Sequence, residues 1–424
     1  MTQSVAPPRT VGFGGGSLFQ INGMIGSGIF ALPAVLVAAV GSFAPMMIVM
    51  GLILILPIGF VFAWLATRFD GTGGPVLYGQ AAFGNFIGFQ AGWGRYGSGL
   101  TALAANTHVM VSYFAALFPV LEGPVIGPIA VVMTILVMTV INLVGMRSSV
   151  NALGVLTVLK LAPLGILVLA AAFGSYSAPR VTLPEFSQVE TIILLTFYAF
   201  IGFESVTIPA GEMKSPRREL PRVLISVLIG VTLVYVLVIW AYLAIATEPT
   251  GNDNALAGAA EIALGQIGTV MIVLAAGFSI MANNFGSLII MPRMSYGMAE
   301  QGMLPSWFRR VSPRFLTPSN AIVFYGAIAA LFSLTGGFAA LAAASTLTRL
   351  LTYVITACAL PVLEQREGRT NPLHFAVAIL ALGSSIWVST HASEQSWMTF
   401  IGFVVVGAGL YFIARRDSAE TVSR

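Results

Sequence analysis

Between Thr10 and Thr67 the chain contains no Asp, Glu, Lys or Arg. Similar apolar runs recur to the C-terminal end, separated by short polar segments rich in Arg, Gly, Pro and Asn. About 20 apolar residues in a helix cross the hydrocarbon of a bilayer, so the first run holds two spans with a turn near Gly41–Ser42. The same length rule predicts helices at roughly 18–40, 44–67, 86–118, 124–145, 151–173, 189–212, 222–247, 266–292, 319–335, 338–362, 373–390 and 396–414. Weak breaks such as Gly336–Gly337 bound the count at ten to twelve, with twelve preferred. The N-terminus lacks the short apolar core and small-residue cleavage site of a signal peptide, so the first span is expected to be retained.

Composition agrees with the pattern: 57% of the residues are hydrophobic and 8% charged, against about 25% charged in soluble domains. The expected fold is an all-α integral membrane protein with a single transmembrane domain. Charge placement orients it. If the N-terminus is cytoplasmic, the inner segments hold Arg9, Arg68, Arg147, Lys214, Arg217, Arg218, Arg222, Arg293, Arg309, Arg310, Arg314, Arg366, Arg369, Arg415, Arg416 and Arg424. These are sixteen of the twenty Lys and Arg, and only Arg180 falls outside. Glu122, Glu185, Glu190, Glu248, Asp253, Glu261 and Glu394 gather in or beside the outer loops. Basic residues stay on the cytoplasmic side of membrane proteins, so both termini are expected inside. The net charge of +4 is then a matter of topology and calls for no nucleic-acid partner.

Two spans are interrupted in the same way. Span 1 carries Gly26-Ser27-Gly28-Ile29-Phe30 and then Pro33; span 6 carries Gly202-Phe203-Glu204-Ser205 and then Pro209. In each, a glycine precedes a proline by the same interval. Glycine favours an unwound backbone and proline removes a helix hydrogen bond. Inside a bilayer the freed groups survive only against protein or a water-filled cavity. Gly and Pro are also common in membrane helices generally, but five spans separate these two breaks, as a five-plus-five inverted repeat requires. The expected division is 18–173 for the first repeat, 189–362 for the second, and two additional helices over 373–414.

Four ionisable residues fall well inside spans: Arg95, Lys160, Glu204 and Arg349. Such residues are costly in a membrane and mark function by default. At 1.5 Å per residue they share a layer roughly 12–20 Å from the inner surface, level with the Ser27–Gly28 break. A zwitterion suits such a layer, because amides that open a half-helix favour a carboxylate and carbonyls that end one favour an ammonium. Ser27 and Gly28 are the candidate donors; carbonyls near Met24, Tyr198 and Ile201 are the candidate acceptors. Lys160 is expected to touch the span 1 break and polar residues of span 8, which offers Asn283, Asn284 and Ser287. It either gains and loses a proton during transport or acts as a permanently charged strut. Arg95 and Glu204 either pair with each other, or Arg95 binds substrate and Glu204 gates.

Several stretches resemble the amino acid–polyamine–organocation superfamily, over essentially the whole chain. They are GMIGSGIF (23–30), GTGGPVLYGQAAFGNFIGFQ (71–90), FIGFESVTIPAGEMKSPRRELPR (200–222) and PRMSYGMAEQGMLPSWF (292–308) followed by Thr317-Pro318. The third is most similar to bacterial permeases and the arginine/agmatine antiporter branch. The resemblance implies a bacterial-type inner membrane, an inverted-repeat transporter with broken helices 1 and 6, and alternating access. It also implies an amino acid substrate with its carboxylate at Ser27 and Gly28 and its amine at carbonyls of spans 1 and 6, Gly202 included. Lys160 then sits where proton-linked members and many exchangers keep a lysine in place of sodium. This chain departs from the antiporter branch: Tyr198 and Ser287 stand where that branch has substrate-facing tryptophans, and Arg95 where it has an aromatic residue.

Other classes fit poorly. No GxxxxGK[ST] loop is present for ATP-driven transport, and no Cys/His, Ser/His or metal cluster for an enzyme. The histidines (His108, His374 and His391) are dispersed, and Cys358 is alone in a span. No cofactor is therefore expected. The leading expectation is secondary transport of neutral amino acids, proton-linked or by exchange. The alternative is an antiporter of amines, polyamines or cationic amino acids.

Overall fold

A computed structural model describes residues 11–69, 73–145, 150–176, 180–208, 210, 213–246 and 254–422, with backbone only for 150–152 and 417–422. Of the positions singled out above, Arg9, Arg147, Pro209, Glu248, Asp253 and Arg424 lie outside the described residues, as do Gly71, Thr72, Gly211 and Glu212 of the motifs.

The described residues form helices and no β-strand; one isolated bridge pairs Val11 with Met213. Span 1 is two helices, α1 (Phe13–Met24) and α2 (Gly28–Val40). A 3-10 turn at Gly41–Phe43 leads to α3 (Ala44–Ala66). Then follow α4 (Pro75–Phe83), α5 (Asn85–Ala115), α6 (Ile126–Val144) and α7 (Val150–Phe173). Span 6 is α8 (Phe186–Tyr198), an unwound stretch, and a 3-10 segment, Phe203–Thr207. The chain continues through α9 (Pro216–Ile245), α10 (Ala255–Leu264), α11 (Gln266–Glu300), α12 (Ser319–Phe332) and α13 (Phe338–Arg366). It ends in α14 (Pro372–Thr390) and α15 (Glu394–Val422).

Several helices run past the apolar stretches that predicted them, because a helix that crosses the hydrocarbon continues into polar turns. Thus α11 reaches Glu300 and α13 reaches Arg366. The short helices α4 and α10 were not expected, since nine or ten residues cannot span a bilayer. Nine helical stretches among the described residues are long and apolar enough to cross a membrane. One of them, Gly28–Ala66, is folded in two by the 3-10 turn. Two expected spans do not meet that measure: α5 carries polar side chains through its middle, and α12 has only 14 residues.

The interrupted segments lie at the centre. α1 packs on α7, α9, α11 and the 3-10 segment 203–207; α2 packs on α5, α8, α9 and α10; α8 packs on α3 and α13. The core is aliphatic and aromatic, with Ile29, Phe30, Phe62, Phe197 and Phe203 fully buried. Around it the outward faces of α6, α7 and α15 expose residues such as Val137, Val158 and Val405, the face a bilayer would cover.

Candidate functional site

The first break begins where the α1 ladder ends. Ile25 N still donates to Ile21 O at 2.8 Å, and Gly26 N turns back to Met24 O at 3.1 Å. Phe30 and Ala31 then both donate to Ser27 O at 3.0 Å, which starts α2. The second break follows α8, where Ile201 N donates to Tyr198 O at 3.2 Å and Gly202 takes φ +97°. The two breaks touch. A Cβ on Gly202 would stand 2.3 Å from Gly23 O, and one on Gly23 would stand 2.9 Å from Ser205 Oγ. At Gly202 the obstacle is backbone and only hydrogen fits; at Gly23 it is the Ser205 side chain, which would have to shift.

A carboxamide on α5 links both breaks. Asn106 Oδ1 accepts from Ser27 Oγ at 2.5 Å and from Tyr198 Oη at 2.9 Å. Its Nδ2 lies 3.0 Å from the Oδ1 atoms of both Asn283 and Asn284 on α11. Asn284 Nδ2 continues to Thr107 Oγ1 at 3.1 Å. Asn283 Nδ2 donates to the carbonyls of Asn22 and Gly23, each at 3.0 Å, at the end of α1. Beside Gly28 stands Tyr235 of α9, whose buried hydroxyl has no hydrogen-bond partner.

Lys160 of α7 is fully buried, and its Nζ donates to Ile25 O at 2.9 Å. The span 8 residue that shares this carbonyl is Ser279, which donates to Ile25 O at 3.2 Å and Gly26 O at 3.1 Å. This corrects the expectation that Asn283, Asn284 and Ser287 would meet Lys160. The two asparagines turn to Asn106 and α1, and Ser287 bonds Tyr325 of α12 at 2.7 Å. Ser279 sits one helical turn nearer the start of α11 than Asn283, and that offset decides which polar side chain reaches the break.

Glu204, fully buried in the 3-10 segment, collects three donors. Arg95 Nη1 and Arg349 Nη1 both bond its Oε1, the latter at 2.5 Å, and Tyr353 Oη donates to Oε2 at 3.1 Å. Arg95 Nη2 also reaches Ser205 Oγ at 3.4 Å, and Arg349 Nε reaches Ser98 Oγ at 3.0 Å. Of the four charged residues expected in one layer, three therefore meet on one carboxylate, while Lys160 stands at the other break. The α13 helix supplies both Arg349 and Tyr353, one turn apart.

In this conformation the site is closed: Ser27 is 1% exposed and Tyr198 6%. A cavity of about 590 Å³ lies elsewhere, lined by His108, Ser112, Glu122 and Asn254 among others. No group of three or more His, Cys, Asp or Glu among the described residues could hold a metal. The histidines serve separate contacts: His108 with Ser333 O, His374 with Glu364, and His391 with Glu190. The sequence reading missed Asn106, Ser279, Tyr235 and Tyr353. The Asn-Thr pair at 106–107 stands among other polar residues of α5, such as Ser98, Thr101 and His108, and gave little signal.

Membrane-crossing helices around two touching breaks, with buried charges gathered beside them, make a membrane transporter. The chain belongs to the amino acid permease family, which it matches over residues 17–415, and with it to the amino acid–polyamine–organocation superfamily. It is similar to the serine/threonine exchanger SteT of Bacillus subtilis, 29% identical over 393 residues that cover 87% of each chain. It is 27% identical over 434 residues to an uncharacterized transporter of Mycobacterium tuberculosis, covering 98% of this chain and 94% of the relative. A methylthioribose transporter of Bacillus subtilis is 24% identical over 441 residues, covering 94% and 92%. The family consists of permeases, so this multi-pass membrane protein is a transporter and not an enzyme.

Proposed function

We propose that the protein is a secondary transporter that carries neutral amino acids across a bacterial inner membrane by alternating access, proton-linked or by exchange. The observation that carries this reading is the contact of the two breaks at Gly23 and Gly202, which brings two half-helix ends to one point. The carboxylate of the substrate is assigned to the amides of Ser27 and Gly28. Its amine is assigned to carbonyls at the ends of α1 and α8, among Met24, Tyr198, Ile201 and Gly202. Ser287, bonded to Tyr325, is placed at the edge of this site. The serine/threonine exchanger among the relatives supports a small neutral substrate by its name.

Twelve spans in two inverted repeats, 18–173 and 189–362, with 373–414 added, are part of the proposal, as are cytoplasmic termini. The packing supports the repeat. If spans 1–5 map onto 6–10, then α5 against α13 becomes α11 against α7, and α1 against α9 becomes α8 against α3; all four pairs pack together. The short helices fall at matching places too, α4 between spans 2 and 3 and α10 between spans 7 and 8.

Gating and coupling are assigned as follows. Glu204, held by Arg95 of α5 and by Arg349 of α13, ties the lower half of span 6 to two other spans and forms the inner gate. Lys160 and Asn283 hold the carbonyls of span 1, the lysine ammonium standing where a sodium ion would bind. The test is uptake of labelled alanine, serine and leucine into proteoliposomes, with and without unlabelled substrate inside. Saturable uptake of at least one supports the reading, and stimulation by internal substrate identifies exchange. Absence of uptake of any amino acid, by a correctly inserted protein, overturns it.

A further inference from the structure

A serine just before a helix normally turns its oxygen back to accept from the second or third amide of that helix. Ser27 precedes α2 and makes no such bond. Its backbone is helical, φ −79° and ψ −24°, rather than extended as in a capping residue. Its hydroxyl instead donates outward, to Asn106 Oδ1 at 2.5 Å.

Asn106 is well fixed for this task. A carboxamide offers two N–H donors and two lone pairs on its oxygen, and here all four are engaged, by Ser27, Tyr198, Asn283 and Asn284. The side chain is 3% exposed. Turning it over would face two hydroxyl donors with N–H groups and two asparagine oxygens with another oxygen.

The consequence falls on α2. The first amides of a helix have no partner inside it; Phe30 N is taken by the Ser27 carbonyl, and with the Ser27 hydroxyl turned away no side-chain cap takes those of Gly28 and Ile29. A second, independent observation points to a ligand there. The Tyr235 hydroxyl is 1% exposed and without a partner, and a Cβ on Gly28 would lie 2.9 Å from it. A buried hydroxyl left unpaired is costly unless something visits it. A carboxylate seated on the Gly28 amide would be within its reach.

We infer that Asn106 is a positioning residue. It holds the Ser27 hydroxyl off the N-terminal end of α2 and so keeps that end open for the carboxylate of the substrate. Without Asn106, Ser27 is free to take the extended backbone of a capping residue, caps its own helix and competes with the substrate. This rests on the assignment of the carboxylate to Ser27 and Gly28 made above, and it adds a residue that never touches the substrate.

The experiment compares the parent, Ser27→Ala, Asn106→Ala and the double variant in proteoliposomes, with whichever of alanine, serine or leucine the parent carries fastest. Competition by that amino acid and by its methyl ester, which lacks a carboxylate, is measured alongside. A serine cap typically shifts an equilibrium of this kind by about fivefold, so Asn106→Ala should raise KM by about fivefold. The double variant should fall back to the KM of Ser27→Ala, and competition by the ester should be unchanged throughout. A purely structural role for Asn106 would leave the double variant as impaired as Asn106→Ala, and that result overturns the inference. If Asn106→Ala does not insert, Asn106→Gln, alone and with Ser27→Ala, is read in the same way. Equal competition by amino acid and ester in the parent would remove the carboxylate assignment and this inference with it. A carboxylate preference in the parent with no rescue would remove the inference alone.

Discussion

A Cβ on Gly202 would stand 2.3 Å from the carbonyl oxygen of Gly23, and Gly202 has φ +97°. Both facts demand glycine, the first because nothing larger than hydrogen fits, the second because side chains disfavour that backbone region. The obstacle is backbone, so it cannot rotate away. Gly202→Ala must therefore separate the two breaks. The expected outcome is an inserted protein whose uptake is below about a tenth of the parent, a loss of about 1.4 kcal/mol or more in transition-state terms. Gly230→Ala in α9, where a Cβ meets nothing within 4 Å, is the control and should retain uptake. Equal activity of the two variants would show that the breaks do not need to touch.

The carboxylate of Glu204 serves two guanidinium groups, so the cluster carries one positive charge more than a simple pair. That changes what a mutation series should show. Losing one arginine, by Arg95→Gln or Arg349→Gln, leaves a neutral pair. Glu204→Gln leaves two buried cations side by side, and breaking a buried ion pair by removing one partner costs about 3–5 kcal/mol. Glu204→Gln should therefore lower thermal stability in detergent more than either arginine variant. The combination Arg95→Gln with Glu204→Gln should recover only part of the loss, because Arg349 is still stranded. Full recovery in that double variant would mean Arg349 is not held by the carboxylate in the protein as it works.

The burial of these groups was legible in the sequence, and so was the pair of Arg95 with Glu204 as one of two readings; their other partners were not. Arg95, Glu204 and Arg349 announced themselves because a charge inside an apolar run has few innocent explanations. Spacing along separate helices says nothing about the rotation of one helix against another, so the shared carboxylate, the third donor Tyr353 and the turn of Asn283 away from Lys160 had to come from packing. The two breaks were visible as Gly/Pro interruptions at equal spacing, whereas Asn106 and Ser279 were hidden among ordinary polar residues of α5 and α11. Short helices such as α4 and α10 were invisible to a rule based on span length. The outline of α3, α6 and α7 needed only the run of apolar residues.

Lys160 donates to Ile25 O, a carbonyl freed by the break in span 1. Two carbonyls at such a turn, joined by Ser279, would suit a sodium ion; here an ammonium already holds one of them. Uptake is therefore expected to be unchanged when sodium is replaced by potassium or choline. Lys160→Ala removes the tie and leaves a buried carbonyl with only the Ser279 hydroxyl. Transport should fall by at least tenfold, while the protein still inserts and elutes as a single species. A sodium requirement in the parent would sink the assignment of Lys160 to the cation position.

Substrate charge follows from the same inventory. Arg95, Arg349 and Lys160 surround the breaks, against the single carboxylate of Glu204, whose Oε1 is already shared by both arginines. Nothing in this set is left over to neutralise a cationic side chain. A dicationic amine such as agmatine or putrescine would meet like charges in a medium of low dielectric, where repulsion is strong. A neutral amino acid adds no net charge, and peptide groups at the two breaks can hold both its ends. An anionic amino acid would be accepted next, through the excess positive charge. The expected order in competition against labelled uptake is therefore alanine, serine or leucine first, aspartate or glutamate second, and arginine, agmatine and putrescine last. Strong competition by agmatine or putrescine with none by alanine, serine or leucine would reverse the order. It would mean that the arginine pair turns away from the substrate path during transport.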